Sequence, residues 1–378
     1  MTDLDDLEII TQNLERPIGD ARGLPGAWYT DEAFARLEAT RVFARTWICA
    51  GYAHELHQAG SAVPVDIAGF PILFTRNDEG EIKAWHNTCP HRGARLLDQP
   101  RHGKSIIQCR NHGWAFDMDG ALRSTPHWGG FREHHRDGFD PGCHGLKPVR
   151  CEQWRQWLFV NLDGNAPPFS DYLAPFSKHF AEYNLDALVH NETIPLEIRG
   201  NWKIVEENFL EVLHLPLVHA RLSRYAPFQE HDIVVDDLCI GTVIERGLPE
   251  SWSPTPLPRF AAIPKTERKA KNLALFPNFK IVIGPDHCCT MVEFPSGAAL
   301  TRQRWDFYFV GEGATDSQYD ASRREIIEFF RETNEEDVGI IETTQAGRSS
   351  PGYAGGVFSS VWEPAVHQFQ RLVLRYIS

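Results

Sequence analysis

Short runs in which apolar and polar residues alternate dominate the chain between Thr46 and Leu162. Ala62-Val-Pro-Val-Asp-Ile, Pro71-Ile-Leu-Phe-Thr, Ser105-Ile-Ile-Gln-Cys and Trp157-Leu-Phe-Val-Asn-Leu each follow the two-residue period of a strand, and Asn77-Asp-Glu-Gly and Asp117-Met-Asp-Gly punctuate them as turns. The pattern predicts an all-β domain over residues 46–163. Residues 1–45 precede it as a helical segment, with a helix from Asp31 to Ala44, and are expected to pack on the C-terminal domain. Asp163-Gly-Asn-Ala-Pro-Pro marks a boundary. In residues 164–378 the periods mix: Asp232-Ile-Val-Val, Phe279-Lys-Ile-Val-Ile and the run Arg302 to Val310 read as strands, and Ser322 to Thr333 reads as an amphipathic helix carrying Ile326, Ile327, Phe329 and Phe330. The fold class is therefore α+β. From Pro249 to Lys271 the chain is rich in Pro and polar residues without a period, which predicts a loop or lid.

Composition narrows the class. With 378 residues, 42% of them hydrophobic, the chain can bury a sizeable core and form two domains. The net charge of −13 argues against a nucleic-acid partner, which needs a clustered positive surface. No apolar run approaches the roughly 20 residues of a bilayer span, and the acidic start Met-Thr-Asp-Leu-Asp-Asp is the reverse of a signal peptide's basic region. A membrane location is not expected. Eight cysteines in a chain this long fit a reducing, cytoplasmic compartment better than a disulfide framework. Cys49, Cys143, Cys151, Cys239, Cys288 and Cys289 read as small, mostly buried apolar residues.

The other two cysteines carry chemistry. Cys89-Pro-His91 is followed by seventeen residues and then by Cys109-Arg-Asn-His112. Two thiolates and two neutral imidazoles are the ligand set of a Rieske-type [2Fe-2S] cluster, in which one iron keeps two Cys and the other takes two His. Gly93 and Gly113 follow each pair where the backbone must turn closely, and Trp114 can cover one side of the site. A Cys2His2 zinc site uses the same residue types. Zinc fingers pair Cys with Cys and His with His, however, whereas each pair here is mixed.

A second constellation lies in Asn201-Trp-Lys-Ile-Val-Glu-Glu-Asn208-Phe-Leu-Glu211-Val-Leu-His214-Leu-Pro-Leu-Val-His219. At about 100° per residue, Glu211 and His214 share a face of a helix, while His214 and His219 stand about 140° apart. Pro216 lies between the two His and is expected to bend the chain so that both reach one metal. Two His and one carboxylate form the facial triad of non-haem Fe(II) oxygenases. Asp337, in Asn-Glu-Glu-Asp337 after the predicted helix, is the candidate carboxylate; spacing alone does not select it over Glu335 or Glu336. Asn208 is a further candidate for the iron pocket. The remaining histidines, including His86, His102, His127, His134, His135, His144 and His287, have no partner at ligand spacing and read as structural or exposed.

Taken in order, Cys89-x-His91, Cys109-x2-His112, Asn201-Trp202-Lys203-x3-Glu207-Asn208-x2-Glu211-x2-His214-x4-His219 and Glu336-Asp337-x4-Glu342-x2-Gln345-x-Gly347 resemble the catalytic α subunit of the Rieske non-haem iron oxygenases. The resemblance covers nearly the whole chain. It implies a Rieske domain followed by a helix-grip catalytic domain that holds mononuclear Fe(II) through His214, His219 and Asp337. It also implies a homotrimer in which Glu211 bridges His214 and the His112 of a neighbouring copy, and a flavin- or ferredoxin-type reductase as electron donor. Ring-hydroxylating members usually carry Asp at the bridge; members acting on quaternary ammonium compounds such as choline, glycine betaine or carnitine commonly carry Glu. Glu211 thus points to O2-dependent hydroxylation or N-demethylation of a small betaine-like substrate. Leu213, where those enzymes usually have Tyr, and Asn111 depart from the pattern without removing a ligand. The alternative expectation is a ring-hydroxylating or O-demethylating oxygenase for an aromatic or aromatic-acid substrate. An electron carrier with a vestigial second site would bind only the cluster irons.

Overall fold

The computed structural model describes residues 5–245 and 255–378, which form two compact units, one of Phe43–Ala166 and the other of the residues up to Val42 together with Pro167–Ser378. The Trp252 part of the loop read from composition lies outside the described residues. Its remainder is not free: Leu257, Phe260 and Ile263 are buried, and Phe260 meets the Tyr183 ring edge-on.

Helices α1 (Asp5–Leu14), α2 (Ala27–Thr30) and α3 (Glu32–Glu38) open the chain. The helix predicted from Asp31 to Ala44 starts where expected, because Asp31 caps it by accepting the Ala33 N–H at 2.8 Å. It does not run through: a wider π turn, Ala39–Phe43, ends it.

The Phe43–Ala166 unit is all β. Its strands are β1 (Ile48–Tyr52), β2 (Ala62–Ile67), β3 (Phe70–Arg76), β4 (Ile82–His86), β5 (Ile106–Gln108), β6 (Ala115–Asp117), β7 (Leu122–Ser124), β8 (Pro148–Trp154) and β9 (Trp157–Asn161). They form a six-stranded sheet in the order β1-β9-β8-β4-β3-β2 and a three-stranded sheet in the order β5-β6-β7. The predicted turns at Gly80 and Gly120 both take positive φ, which glycine adopts without a Cβ clash.

The second unit continues with α4 (Phe169–Ser177), β10 (Leu188–Ile198), α5 (Trp202–Leu210), α6 (Leu215–Val218), α7 (Leu222–Tyr225), β11 (His231–Asp236), β12 (Cys239–Ile244), β13 (Ala270–Leu275), β14 (Phe279–Ile283), β15 (His287–Pro295), β16 (Thr301–Val310), α8 (Asp320–Arg348) and α9 (Pro364–Ile377). One antiparallel sheet runs β10-β16-β15-β14-β13-β12-β11. Because side chains alternate along each strand, Cys289, Met291, Trp305, Phe307 and Phe309 share a face and pack with Ile326, Ile327 and Phe329 of α8. Trp305, Phe307 and Phe309 are thus core residues first. Cys288 and Cys289 fall on opposite faces of β15 and are fully buried, and burial holds both thiols far above the usual range, which leaves no reactive pair.

The helix predicted to end near Thr333 runs uninterrupted for 29 residues in α8. Phe330, Asn334, Asp337, Ile341 and Gln345 follow one another at spacings of three and four, so Asp337 occupies a position on the inward face that the period reserves for an apolar residue. Glu335 and Glu336, two and one residues earlier, are exposed.

α5 is buried nearly all round, so its charges need partners. Asn201 caps it by accepting the Lys203 N–H at 3.0 Å. Lys203 pairs with Glu38, which also accepts the Trp202 indole N–H at 2.8 Å. Glu207 accepts from the Tyr29 hydroxyl at 2.5 Å, Arg348 at 2.8 Å and Gln370 at 2.8 Å. Substituting Lys203 with Met strands the buried Glu38 carboxylate, and about 3–5 kcal/mol of stability is expected to be lost; thermal denaturation against the native chain checks this.

Candidate active site

The two Cys/His loops share one backbone design although their ligand spacings differ. Cys89 N–H donates to Ala94 O and Gly93 N–H to Cys89 O; Cys109 N–H donates to Trp114 O and Gly113 N–H to Cys109 O. Each loop therefore closes four and five residues past its cysteine, with glycine at φ +72° and +73°. Both thiols are buried and lie within hydrogen-bonding reach of one another. Burial raises the Cys89 thiol, and the His91 and Arg92 amides that point at its sulfur oppose this. The His91 and His112 rings meet edge-on with centroids 4.5 Å apart, and Trp114 stacks on His91 at 4.8 Å. Trp128 meets the His91 and Trp114 rings edge-on. Two sulfurs on the inside and two imidazoles toward solvent suit a cluster with one thiolate-held and one imidazole-held iron. A Cβ on Gly113 meets Pro126 Cγ at 3.2 Å as well as the positive φ. Gly113→Ala is expected to cost about 1–3 kcal/mol of backbone strain and to lower cluster loading, read as visible absorbance per chain.

In the other unit, α5 stops at Leu210 and Glu211 is extended, with φ −124° and ψ 165°. The predicted helical face shared by Glu211 and His214 does not form, and the bend is not at Pro216. The Glu211 carboxylate folds back on the chain: Oε2 accepts from the Leu213 and His214 amides and Oε1 from His214 Nδ1 at 2.5 Å. That competition for backbone N–H groups ends the helix early. Pro216 sits in the first turn of α6, where its missing N–H costs nothing.

This turn brings the three candidate ligands together. His214 Nε2 and His219 Nε2 lie 3.2 Å apart, and Asp337 Oδ1 is 2.9 Å from the second and 3.5 Å from the first. Two donors about 2.1 Å from one ion and at right angles to each other stand about 3.0 Å apart. The outer nitrogens are engaged by carboxylates, His214 Nδ1 by Glu211 and His219 Nδ1 by Glu336 at 2.7 Å. Since a carboxylate only accepts, each Nδ1 carries the proton and each Nε2 lone pair faces the common point. Asp337 Oδ1 is buried without a hydrogen-bond partner. These residues fit a metal. Among the described residues His214, His219 and Asp337 form one of the groups able to hold an ion.

The trio opens on a cavity of about 160 Å³. Asn208 and Glu211 line it, with aromatic walls from Phe209, Trp305, Phe329 and Phe330. His287, discounted in the sequence, lines it too, with Nδ1 2.6 Å from Asp286. His231, at the start of a strand, has no sequence signal, and Glu336, an alternative to Asp337 in the sequence, takes the Nδ1 side of His219 instead. Burial keeps His231 below its usual range and therefore neutral.

The family model of the ring-hydroxylating alpha subunit catalytic domain matches residues 185–378, and that of the Rieske [2Fe-2S] domain matches residues 46–134. The chain belongs to the ring-hydroxylating α-subunit family. It is an oxygenase whose cofactors are a Rieske [2Fe-2S] cluster and a mononuclear iron. This α subunit is 27% identical over 365 residues to the carnitine monooxygenase oxygenase subunit of Acinetobacter baumannii, covering 93% of the chain and 94% of the relative. It is 25% identical over 363 residues to the chloroplastic choline monooxygenase of Beta vulgaris, covering 94% and 77%. A solved quaternary ammonium Rieske monooxygenase, 24% identical, has the same fold, with a TM-score of 0.84 over 97% of this chain and 98% of the other. No helix among the described residues is long and apolar enough to cross a membrane.

Proposed function

We propose that this α subunit is the terminal oxygenase of a system that hydroxylates or N-demethylates a small quaternary ammonium compound, with O2 as co-substrate. The observation that carries the reading is the cavity itself: a permanent cation is held well by aromatic faces, and Phe209, Trp305, Phe329 and Phe330 line a space that ends on the carboxylates of Glu211 and Asp337. Relatives named for carnitine and choline support it. An aromatic-acid substrate, unlike choline or a zwitterionic betaine, is a net anion and needs an uncommitted cation beside the cavity. Lys280, the lysine among the described lining residues, is instead taken up by Glu293 and Glu206.

In this reading Cys89, Cys109, His91 and His112 hold the cluster, and His214, His219 and Asp337 hold the mononuclear iron. When bound, the two centres supply single electrons and the reductive activation of O2. Glu211 fixes the tautomer and orientation of His214 and bridges toward His112 of the partner subunit. Glu336 does the same orienting work for His219. The aromatic walls hold the substrate and keep water away, and Asn208 contributes a polar edge to the pocket. An N-methyl group hydroxylated in this space becomes a carbinolamine, which loses formaldehyde. The resemblance supplies a homotrimer and a flavin- or ferredoxin-type reductase, and the cysteine usage a cytoplasmic location. The related solved structure is described in terms of inter-subunit electron transfer, which supports the bridging role.

Oxygen uptake with a flavin and [2Fe-2S] reductase tests the proposal. Choline, glycine betaine or carnitine should stimulate uptake, whereas 3,3-dimethylbutan-1-ol, the uncharged carbon analogue of choline, and substituted benzoates should not. Stimulation by benzoates alone contradicts it.

A further inference from the structure

Three cavity-lining residues, Phe209, Lys280 and Gln303, lead to a buried charge cluster whose ammonium, Lys280, lines the cavity while its two carboxyl groups, Glu206 and Glu293, lie behind it. Lys280 Nζ pairs with Glu293 Oε1, stands 3.6 Å from Glu206 Oε1 and lies 4.8 Å from the Phe209 ring centroid. Gln303 Nε2 donates to Glu293 Oε1 at 2.7 Å, and Trp305 Nε1 donates to Gln303 Oε1 at 3.2 Å. Lys280, Glu206 and Glu293 are at most 2% exposed. Two carboxyl groups within hydrogen-bonding reach of each other thus share one ammonium. Glu206 Oε1 and Glu293 Oε2 have no hydrogen-bond partner.

Such a cluster cannot ionise completely at low cost. Like charges this close in a dry site keep one proton between them. Burial and the Glu293 carboxylate hold Glu206 well above the usual carboxylate range, with Lys280 opposing. The elements packed on α5 add no competing charge. β14 presents Lys280 and β15 presents Glu293, while the face of β12 in register with Lys280 carries Ile240, Thr242 and Ile244, none of which titrates. From α8, Asp337 belongs to the metal trio and Arg348 binds Glu207; from α9, Gln370 binds Glu207 as well. On α5 itself, Lys203 is paired with Glu38.

We propose that this cluster is the counter-ion of the cavity: a cationic head group that enters drives Glu206 to release its proton to solvent, so that cation binding and proton release are one linked event. The balance is simple: a neutral Glu206 carboxyl and a free cation become a carboxylate, a bound cation and a proton taken up by buffer. The inference rests on the reading of the cavity as a cation site and adds to it a specificity device. An uncharged molecule of the same shape gains nothing from the ionised cluster. By linkage, a cation that binds the deprotonated form must bind more tightly as pH rises, approaching tenfold per pH unit where Glu206 titrates.

Isothermal titration of the iron-loaded enzyme under anaerobic conditions tests this, with choline, glycine betaine and carnitine in two buffers of different ionisation enthalpy near pH 7. The expected result is release of up to about one proton per cation bound and none with 3,3-dimethylbutan-1-ol. Glu206→Gln, isosteric with the protonated acid, should bind the cation more weakly, without proton release and with an affinity flat in pH. Glu293→Gln leaves a single ionised Glu206 paired with Lys280 and should also abolish release. Cation binding without proton release in the native enzyme, or release that survives both substitutions, overturns the inference. If none of the three cations binds, the substrate reading fails first and this inference with it.

Discussion

Substituting Glu211 with Gln lowers substrate-coupled turnover by about 100-fold while iron content stays at the native level. Both carboxylate oxygens are in use, Oε1 on His214 Nδ1 and Oε2 on the Leu213 and His214 amides. Glutamine offers one acceptor. If its carbonyl keeps His214 Nδ1, the Nε2 lone pair stays on the metal side and the iron stays bound, but the turn loses its cap and the negative charge disappears. The charge is what a bridge between two imidazoles needs, because a carboxylate accepts from a ring N–H at each of its ends. Iron analysis and steady-state turnover together check this. A Gln variant with normal coupled activity removes Glu211 from the electron path, and one that loses iron reassigns it to holding His214.

Removing the Asp337 carboxylate has a larger effect. Asp337→Ala is expected to retain the two cluster irons and the visible spectrum of the Rieske centre, to lose the mononuclear iron, and to show no product above background. Two imidazoles alone no longer make a facial triad. Asp337 Oδ1 lies 2.9 Å from His219 Nε2, where Glu335 and Glu336 do not reach because their positions face out of α8. Glu336→Ala, which removes only the partner of His219 Nδ1, should lower iron affinity by about 10- to 100-fold. Retention of mononuclear iron by Asp337→Ala contradicts the ligand assignment.

The contrast between Asp337 and Glu336 shows where the sequence was legible. Strand periods placed Ala62–Ile67 and Phe279–Ile283 at their observed bounds, because β-branched residues at period two have few other uses. The Cys/His pairs were legible because their residue types and order have one common chemistry. Asp337 is underdetermined for a helix that ends at Thr333; in the continuous helix, Phe330, Asn334, Asp337 and Ile341 single it out by spacing. The Glu211 turn departs from the helical period for a physical reason: periodicity assumes that the backbone keeps its own N–H groups, and here a side chain takes them. The Glu206, Lys280 and Glu293 cluster had no local signal. It is assembled from α5, β14 and β15, and only the folded sheet shows that three separate charges share one buried volume.

The same distinction explains the cavity. Trp305 and Phe307 alternate on a strand in the sequence, which fits either a core or a cation cage. The structure separates the two residues, since Trp305 lines the cavity while Phe307 packs against Phe330, 5.5 Å centroid to centroid.

A single-turnover reaction tests the central claim most directly. Iron-loaded enzyme is reduced chemically in the absence of reductase, mixed with O2 and one quaternary ammonium compound or one aromatic acid, and quenched for formaldehyde and hydroxylated products. The account predicts oxygenated or demethylated product from a quaternary ammonium compound, with the cluster reoxidised in the same turnover. Hydroxylated aromatic product with none from any quaternary ammonium compound would leave the metal sites standing and contradict the substrate class.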